Sequence, residues 1–406
     1  VLLNAGDRFE GTLVVRTQSG EPNNPILVST YGENGGRALI DAKGQLAGVQ
    51  IINSSHVRIE NLDITADGGA SSAWGEGYWY AEPLRAGVII AIQGAGNRAR
   101  FEGIRLDRLR IHDIFYHEFG SIDRGRDVNT QNGTQAYGHG IRVFNQGNGK
   151  ATLSNIVITN SEISNVSHTG MRITGRVNEF PDRPYPQFER FINRVVIANN
   201  RLTEIGGPGI QFSGVYGAHV HHNVTDRTGS LGDSRRGVRD ARKWGRGSGM
   251  WTWASNNVLV EHNQFRNASG PADSAGFHID FHCSNVIAQY NLSINNEGGF
   301  IEILGNNRNN AYRFNVSVND GARIKGETEK YYGKATHDGK VLWLSGFVGM
   351  SSERVVNPLI APVNNYIYNN TVYTRHPAQI ALNNGTSGLL VANNIFYFDH
   401  PIPSRY

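Results

Sequence analysis

The chain has 406 residues, a formal net charge of +4 and a sequence pI of about 9.1. Its one cysteine, Cys283, excludes an internal disulfide framework, and no apolar run approaches the roughly 18 residues of a membrane-spanning helix. Hydrophobic residues make up only 39%, glycine is abundant at 49, and long Ala/Leu/Glu/Lys runs are missing, so the composition excludes a helical bundle and points to a turn-rich, all-β chain.

In chain order, the first segments are short apolar runs between polar corners: PILVSTYG, ALIDA, GVQIINSS and HVRIENLDIT. A hydrophobic cap is expected over the first of them, because an open solenoid end would expose an unpaired edge; VLLNAGDRF to TLVV is the candidate. No signal peptide opens the chain, which starts at Val1 in a strand-like run. A secreted or periplasmic location is expected, with the leader not present in this chain.

A glycine-led strand then recurs: GVIIAIQ at Gly87, GIRVF at Gly140, GMRIT at Gly170, GIQFS at Gly209 and GMWTW at Gly249. A second recurring strand carries an asparagine at Asn200, Asn223, Asn263, Asn291, Asn315, Asn370 and Asn394. A repeat of twenty-odd residues built from short strands marks a β-solenoid. Length then adds coils rather than domains, and a single domain over 1–406 is expected. Asparagine suits a repeated bend because it tolerates left-handed backbone and its amide can bond the next coil. These asparagines therefore read as structural, and the Asn-x-Ser/Thr matches among them as weak glycosylation signals. Larger steps between glycines mark insertions at 66–86, 115–139, 175–193, 226–248 and 326–340, which are expected to wall a groove over the glycine-led strands.

Gly276 to Lys325 holds the densest repetition. Setting Gly276, Gly298 and Gly321 in register gives steps of 22 and 23 residues, which puts Asp280, Glu302 and Lys325 in one column. Stacked residues of successive coils would then lie about 4.8 Å apart. The other column of the same face reads Arg142, Arg172, Gln211, Trp251, His278, Phe300 and Arg323. Trp253 precedes Asp280 in the first column, and period-two alternation turns both columns outward. A face mixing Trp, Arg, His and acids reads as a binding groove.

The glycine-led strands, the asparagine corners and the phrase GFHIDFHCSNVIAQYNLSINNEGGF resemble the right-handed parallel β-helix superfamily of pectate-lyase-like lyases, polygalacturonase-like hydrolases and uronan epimerases. The resemblance covers nearly the whole chain and implies an all-β, single-domain right-handed parallel β-helix. The surroundings of Asp280 and Glu297 are similar to a GFDFDGG…NYSHDNDG-type pattern of bacterial secreted β-helix proteins, with His278 standing where that pattern often has an acid. The Asp-Pro-His motif of alginate-type epimerases is missing.

Three function classes follow. Glycosidic cleavage needs one carboxyl group to protonate the leaving oxygen and a second to activate water or attack the anomeric carbon. Asp280 is expected as the acid and Glu302, kept charged by Lys325, as the base or nucleophile, with Glu297 in reserve. The expected substrate is an anionic or branched polysaccharide. In the alternative, a lyase or epimerase acts on uronates with Lys325, Arg323 or His278 as base. Arg142 and Arg172 then hold carboxylates by paired hydrogen bonds, and the acids have the oxygen ligands that Ca²⁺ takes. No cofactor is required by the hydrolase reading. The third class binds carbohydrate without catalysis. Gln211, Trp251 and Trp253 complete the groove, and two loops add to it: WGEGYWYAE, with Trp79, and RRGVRDARKWGR, six cations around Trp244. The cationic run suits an acidic polysaccharide better than nucleic acid, since no nucleic-acid module accompanies it; neither nucleic acid nor membrane is expected as a partner.

Overall fold

The computed structural model describes residues 1–32, 36–67, 84–115, 137–175, 191–229, 247–270, 273–325, 336–337, 339–349, 355–383, 385–401 and 404–405. For Tyr137, Ile324, Lys325, Thr336, His337, Ser404 and Arg405 it describes the backbone alone. Each coil contributes one strand to each of three parallel sheets, and each sheet stacks 12 strands in chain order. The first coil, for instance, consists of Leu2–Asn4, Arg8–Glu10 and Leu13–Arg16. VLLNAGDRF to TLVV is therefore the first coil itself rather than a cap over it, and Leu2, Phe9 and Val14 are exposed.

The core is the bore of the coil. Val49, Ile51, Val88, Ile90, Ile141, Val143, Ile173, Phe212 and Ile279 line it from the third sheet, all buried. The glycine at the start of the repeated third-sheet strands has a packing cause. A Cβ on Gly170 would stand 2.5 Å from the Gly209 carbonyl oxygen, and one on Gly209 would stand 2.4 Å from that of Gly249. Backbone lies against backbone there, and no side chain fits.

The asparagines form an unbroken ladder. Each side-chain amide donates to the Oδ1 of the next: Asn200 to Asn223 at 3.0 Å, Asn223 to Asn263 at 2.9 Å, Asn263 to Asn291 at 3.0 Å, and on through Asn315 and Asn370 to Asn394. Their structural reading holds, with one correction to its cause. The left-handed backbone falls on the residue before each rung: Asn199, His222, His262, Tyr290, Phe314, Asn369 and Asn393. The rungs need asparagine for its amide alone.

Four long connections, at 68–83, 116–136, 229–249 and 319–339, run from a second-sheet strand to a third-sheet strand. Two more, at 175–191 and 345–365, run from the third sheet to the first, the second of them unforeseen in the sequence. The insertions thus join the third sheet along both of its sides. Trp79 and Trp244 lie in them, outside the described residues.

Candidate functional site

The third sheet carries the outward columns. Register confirms the upper part of both: Arg142, Arg172, Gln211, Trp251 and His278 stack in turn, and beside them Phe144, Thr174, Ser213 and Trp253. Below this the expected phase slips. Ile279 pairs with Ile303 and Ala275 with Gly299, a step of 24 residues. Glu302 is therefore level with His278, and Asp280 with Leu304. The cause is local. Gly299 has φ +123°, its Cβ position lies 1.6 Å from the Lys340 carbonyl oxygen, and the register runs two residues beyond the 22-residue step counted from Gly276 to Gly298. Phe300, expected outward, is buried in the bore against Phe265 and Tyr312.

Lys325 is not in the column. Ile324–Lys325 pairs antiparallel with Thr336–His337 in a separate two-stranded hairpin, and the coil's own third-sheet strand is Lys340–Leu344. Glu302 consequently faces Trp343. GKVLWL, from Gly339, is the glycine-led strand that the repeat requires at this coil.

Around Glu302 the charges are close. Burial first, and then the negative charge of Asp273, push its carboxyl up to about 8; Asp280 adds to the rise, while Lys340 and Arg323 oppose it. Glu302 is 9% exposed, whereas Asp273 and Asp280 are half-buried, before and after the strand Phe277–Ile279. Burial and the neighbouring acids thus favour the protonated form of Glu302, the opposite direction to the charged state expected from the sequence. Asp273 escaped sequence reasoning because it precedes the strand and joins no alternating pattern.

The remaining expected residues divide into wall and scaffold. Trp251 is buried and stacks on His278, with centroids 5.8 Å apart and planes 4° from parallel. His278 Nδ1 stands 3.1 Å from Ser248 Oγ. Trp253 meets Phe281 edge-on at 5.8 Å, and Phe281 meets Phe347 at 6.2 Å, which makes an aromatic corner beside Asp280. Gln211 is buried and donates to Ser213 Oγ at 3.4 Å. Arg142 is fully buried and donates to Val143 O at 2.9 Å and Thr174 Oγ1 at 3.0 Å, so it is no open clamp for a substrate carboxylate. Arg172 lies beside it, half-buried. Burial, then the charges of Arg142 and Arg172, hold the imidazole of His139 well below its ordinary range. Arg323 is buried, and its backbone N–H donates to Glu297 O at 2.8 Å. Glu297 Oε2 accepts the Gly270 N–H at 3.0 Å, the bond of a turn residue. Cys283 is buried, which pushes its thiol up to about 12 and leaves it inert. Among the described residues no three His, Cys, Asp or Glu side chains gather as metal ligands.

Comparison places this geometry among known proteins. The chain is similar to a lacto-N-biosidase of Bifidobacterium longum subsp. longum, 22% identical over 98% of this chain and 26% of that protein, so it spans about a quarter of the relative's length. It is similar in structure to a GH136 lacto-N-biosidase of Eubacterium ramulus, with a TM-score of 0.65 and 22% identity over 97% of this chain and 62% of that one. A DFA-IIIase of Arthrobacter chlorophenolicus A6 gives a TM-score of 0.50 at 13% identity, over 95% of this chain and 74% of that one. These likenesses show the fold. The family described as the right-handed β-helix region matches residues 124–332, just over half the chain, and to that family the chain belongs.

Proposed function

We propose that the protein is a glycoside hydrolase that cleaves an uncharged glycan on the third-sheet groove, with Asp273 and Asp280 as the two carboxyl groups that touch the sugar. The observation that carries this reading is that Asp273 and Asp280 flank the strand Phe277–Ile279, which the pairs Ala275–Gly299 and Ile279–Ile303 set beside the strand of Glu302, so that three carboxyl groups border one rung. Of the three, only Asp273 and Asp280 are open enough to meet a ligand. One protonates the leaving oxygen; the other activates water or attacks the anomeric carbon. Glu302, whose protonated form burial favours, borders them on the next coil and spares the site a third negative charge. The names of the relatives, two of them lacto-N-biosidases, support a hydrolase of glycosidic bonds.

The uncharged substrate revises the anionic expectation. That expectation rested on Arg142, whose guanidinium is engaged inside the protein, on Arg172 beside it, and on 235–246, which lies outside the described residues. A uronate carboxylate would meet Asp273 and Asp280 with like charge. The aromatic corner of Trp253, Phe281 and Phe347 offers apolar surface to a sugar's C–H face instead.

The test is a panel of neutral and uronate-containing oligosaccharides, scored for new reducing ends. Asp273→Asn and Asp280→Asn should each lower kcat by about 10²–10⁴-fold, the usual worth of a general acid or base. Glu302→Gln keeps a donor and should lose far less. If Glu302→Gln is as inactive as both aspartate variants, Glu302 itself meets the leaving oxygen and the assignment is wrong. Ultraviolet-absorbing unsaturated products would replace hydrolysis with β-elimination.

A further inference from the structure

One buried hydroxyl touches both flanks of the strand between the two aspartates. Ser248 lies on the preceding coil, two residues before the strand Met250–Trp253, and is fully buried. Its Oγ accepts the Ala275 N–H at 3.2 Å. The same oxygen stands 3.1 Å from His278 Nδ1, within reach of a second hydrogen bond. Ala275 comes two residues after Asp273, and His278 two residues before Asp280. The neighbouring bonds run from backbone to backbone: Gly249 N–H to Ala275 O at 2.9 Å, and Asp280 N–H to Thr252 O at 2.9 Å. At the Ala275 N–H a side chain takes the place of a backbone acceptor, so the ladder closes through the hydroxyl at 248. His278 is buried as well, and its ring lies against Trp251 of that same preceding coil.

We infer that Ser248 is a positioning residue for the hydrolytic site: bonded to Ala275 and to His278, its hydroxyl fixes the segment of Asp273 against the strand of Asp280 and so holds the two carboxyl groups at their working separation. This rests on the assignment of those two aspartates under the proposed function. Their separation matters because the two groups flank one glycosidic bond, and the distance between them decides whether a water fits. A buried hydroxyl suits the task. It has one hydrogen to give and two lone pairs to receive with, so it can serve an N–H and a ring nitrogen at once. Other bonds hold one flank each. The Phe281 N–H donates to Asp280 Oδ1 at 2.9 Å, and the Gly298 N–H donates to Ser274 O at 3.0 Å beside Asp273. Ser248 reaches both flanks.

Ser248→Ala should lower kcat about 10–100-fold with KM little changed, the cost of a small displacement at a reacting centre. Two like charges freed of a restraint move apart and repel each other less, so the two limbs of its pH–rate profile should draw together. The other titratable groups of these coils, Glu302, His278, Lys340 and Arg323, are common to both proteins. Ser248→Thr keeps the hydroxyl and should retain most of kcat. His278→Leu loses the ring nitrogen and should fall in kcat, while His278→Asn keeps a polar atom there and should recover. Ser161→Ala is the control for the loss of any buried bond. Its Oγ accepts the Leu109 N–H at 3.0 Å between the first and second sheets, away from the groove, so its loss should lower the melting temperature at unchanged kcat. The measurement is steady-state kinetics across pH on the best neutral oligosaccharide of the panel, beside the melting temperature of each variant. Full kcat and an unchanged profile in folded Ser248→Ala overturn the inference, as does an equal kcat loss in Ser161→Ala. If Ser248→Ala does not fold, the His278 pair decides, and equal kcat in His278→Leu and His278→Asn overturns it. Wild-type activity in Asp273→Asn or Asp280→Asn instead overturns the assignment beneath it, however Ser248→Ala behaves.

Discussion

Glu302 and Asp320 are both buried carboxyl groups, and their surroundings differ. Burial raises each, but around Asp320 it is hydrogen bonds that oppose the rise, from Ser317 at 2.6 Å and from both nitrogens of Asn296. Its carboxyl is pushed up to about 6 from 3.8. The proton is held more tightly in the folded chain, so the stabilisation is full below pH 3.8 and is lost as pH rises through about 6. Asp320→Asn should thus raise the melting temperature at pH 7.5 and not at pH 4, with a gain on the order of 3 kcal/mol from the size of that displacement; a variant less stable at both pH values would contradict it. His112 shows the opposite chemistry. Its bonds to Asp113 at 2.8 Å and Asp63 at 2.9 Å, only partly offset by burial, push it up to about 9. That support is complete below pH 6.5 and vanishes as pH passes about 9. His112→Gln should therefore cost more at pH 6 than at pH 10, measured by denaturant titration at both.

At the scale of the element, the asparagine ladder is where sequence spoke most clearly, because every rung acts alike, its amide closing the backbone of the coils above and below. Asn263 shows the load. Its Nδ2 donates to Val220 O, Glu261 O and Asn291 Oδ1, while its Oδ1 accepts from both nitrogens of Asn223. Asn263→Ala strands several buried groups, each costing about 1–3 kcal/mol. Asn394→Ala, at the ladder's end and half-buried, should cost visibly less in the same urea titration. Equal losses would mean that the rungs act independently of burial. What the sequence could not reveal is the stack beside the ladder. His222, His262, Tyr290 and Phe314 all take left-handed backbone and stack ring on ring at 5.1–5.3 Å. Left-handed backbone is unfavourable for such residues, and only the neighbouring coil's ring makes it tolerable, a fact that no single repeat contains.

For the whole molecule, the solenoid fold was legible because twelve coils repeat the same conflict between a packed bore and polar corners, while the coil count and the third sheet were not. Phase was legible only where glycines are equivalent. From Gly140 to Gly276 each glycine meets the next coil's backbone, or, at Gly276, Ser293 and Asn296, and the columns fall where alternation puts them. At Gly298 and Gly321 the glycine serves other contacts, with Ser274 and Ala378, so counting from it displaced Glu302 and lost Trp343 altogether. Asp273 lay off every pattern, since proximity in space rather than spacing along the chain joins it to Glu302.

The glycine seam separates what can be varied from what cannot. Substitution at Gly140, Gly170, Gly209 or Gly249 would pry two turns apart, while positions 142, 172, 211 and 251, two residues on, carry two arginines, a glutamine and a tryptophan at a fixed pitch. Anyone re-tailoring the groove for another ligand therefore inherits a ruled template: randomise along one line, leave its neighbour alone, and each change should stay confined to its own tier.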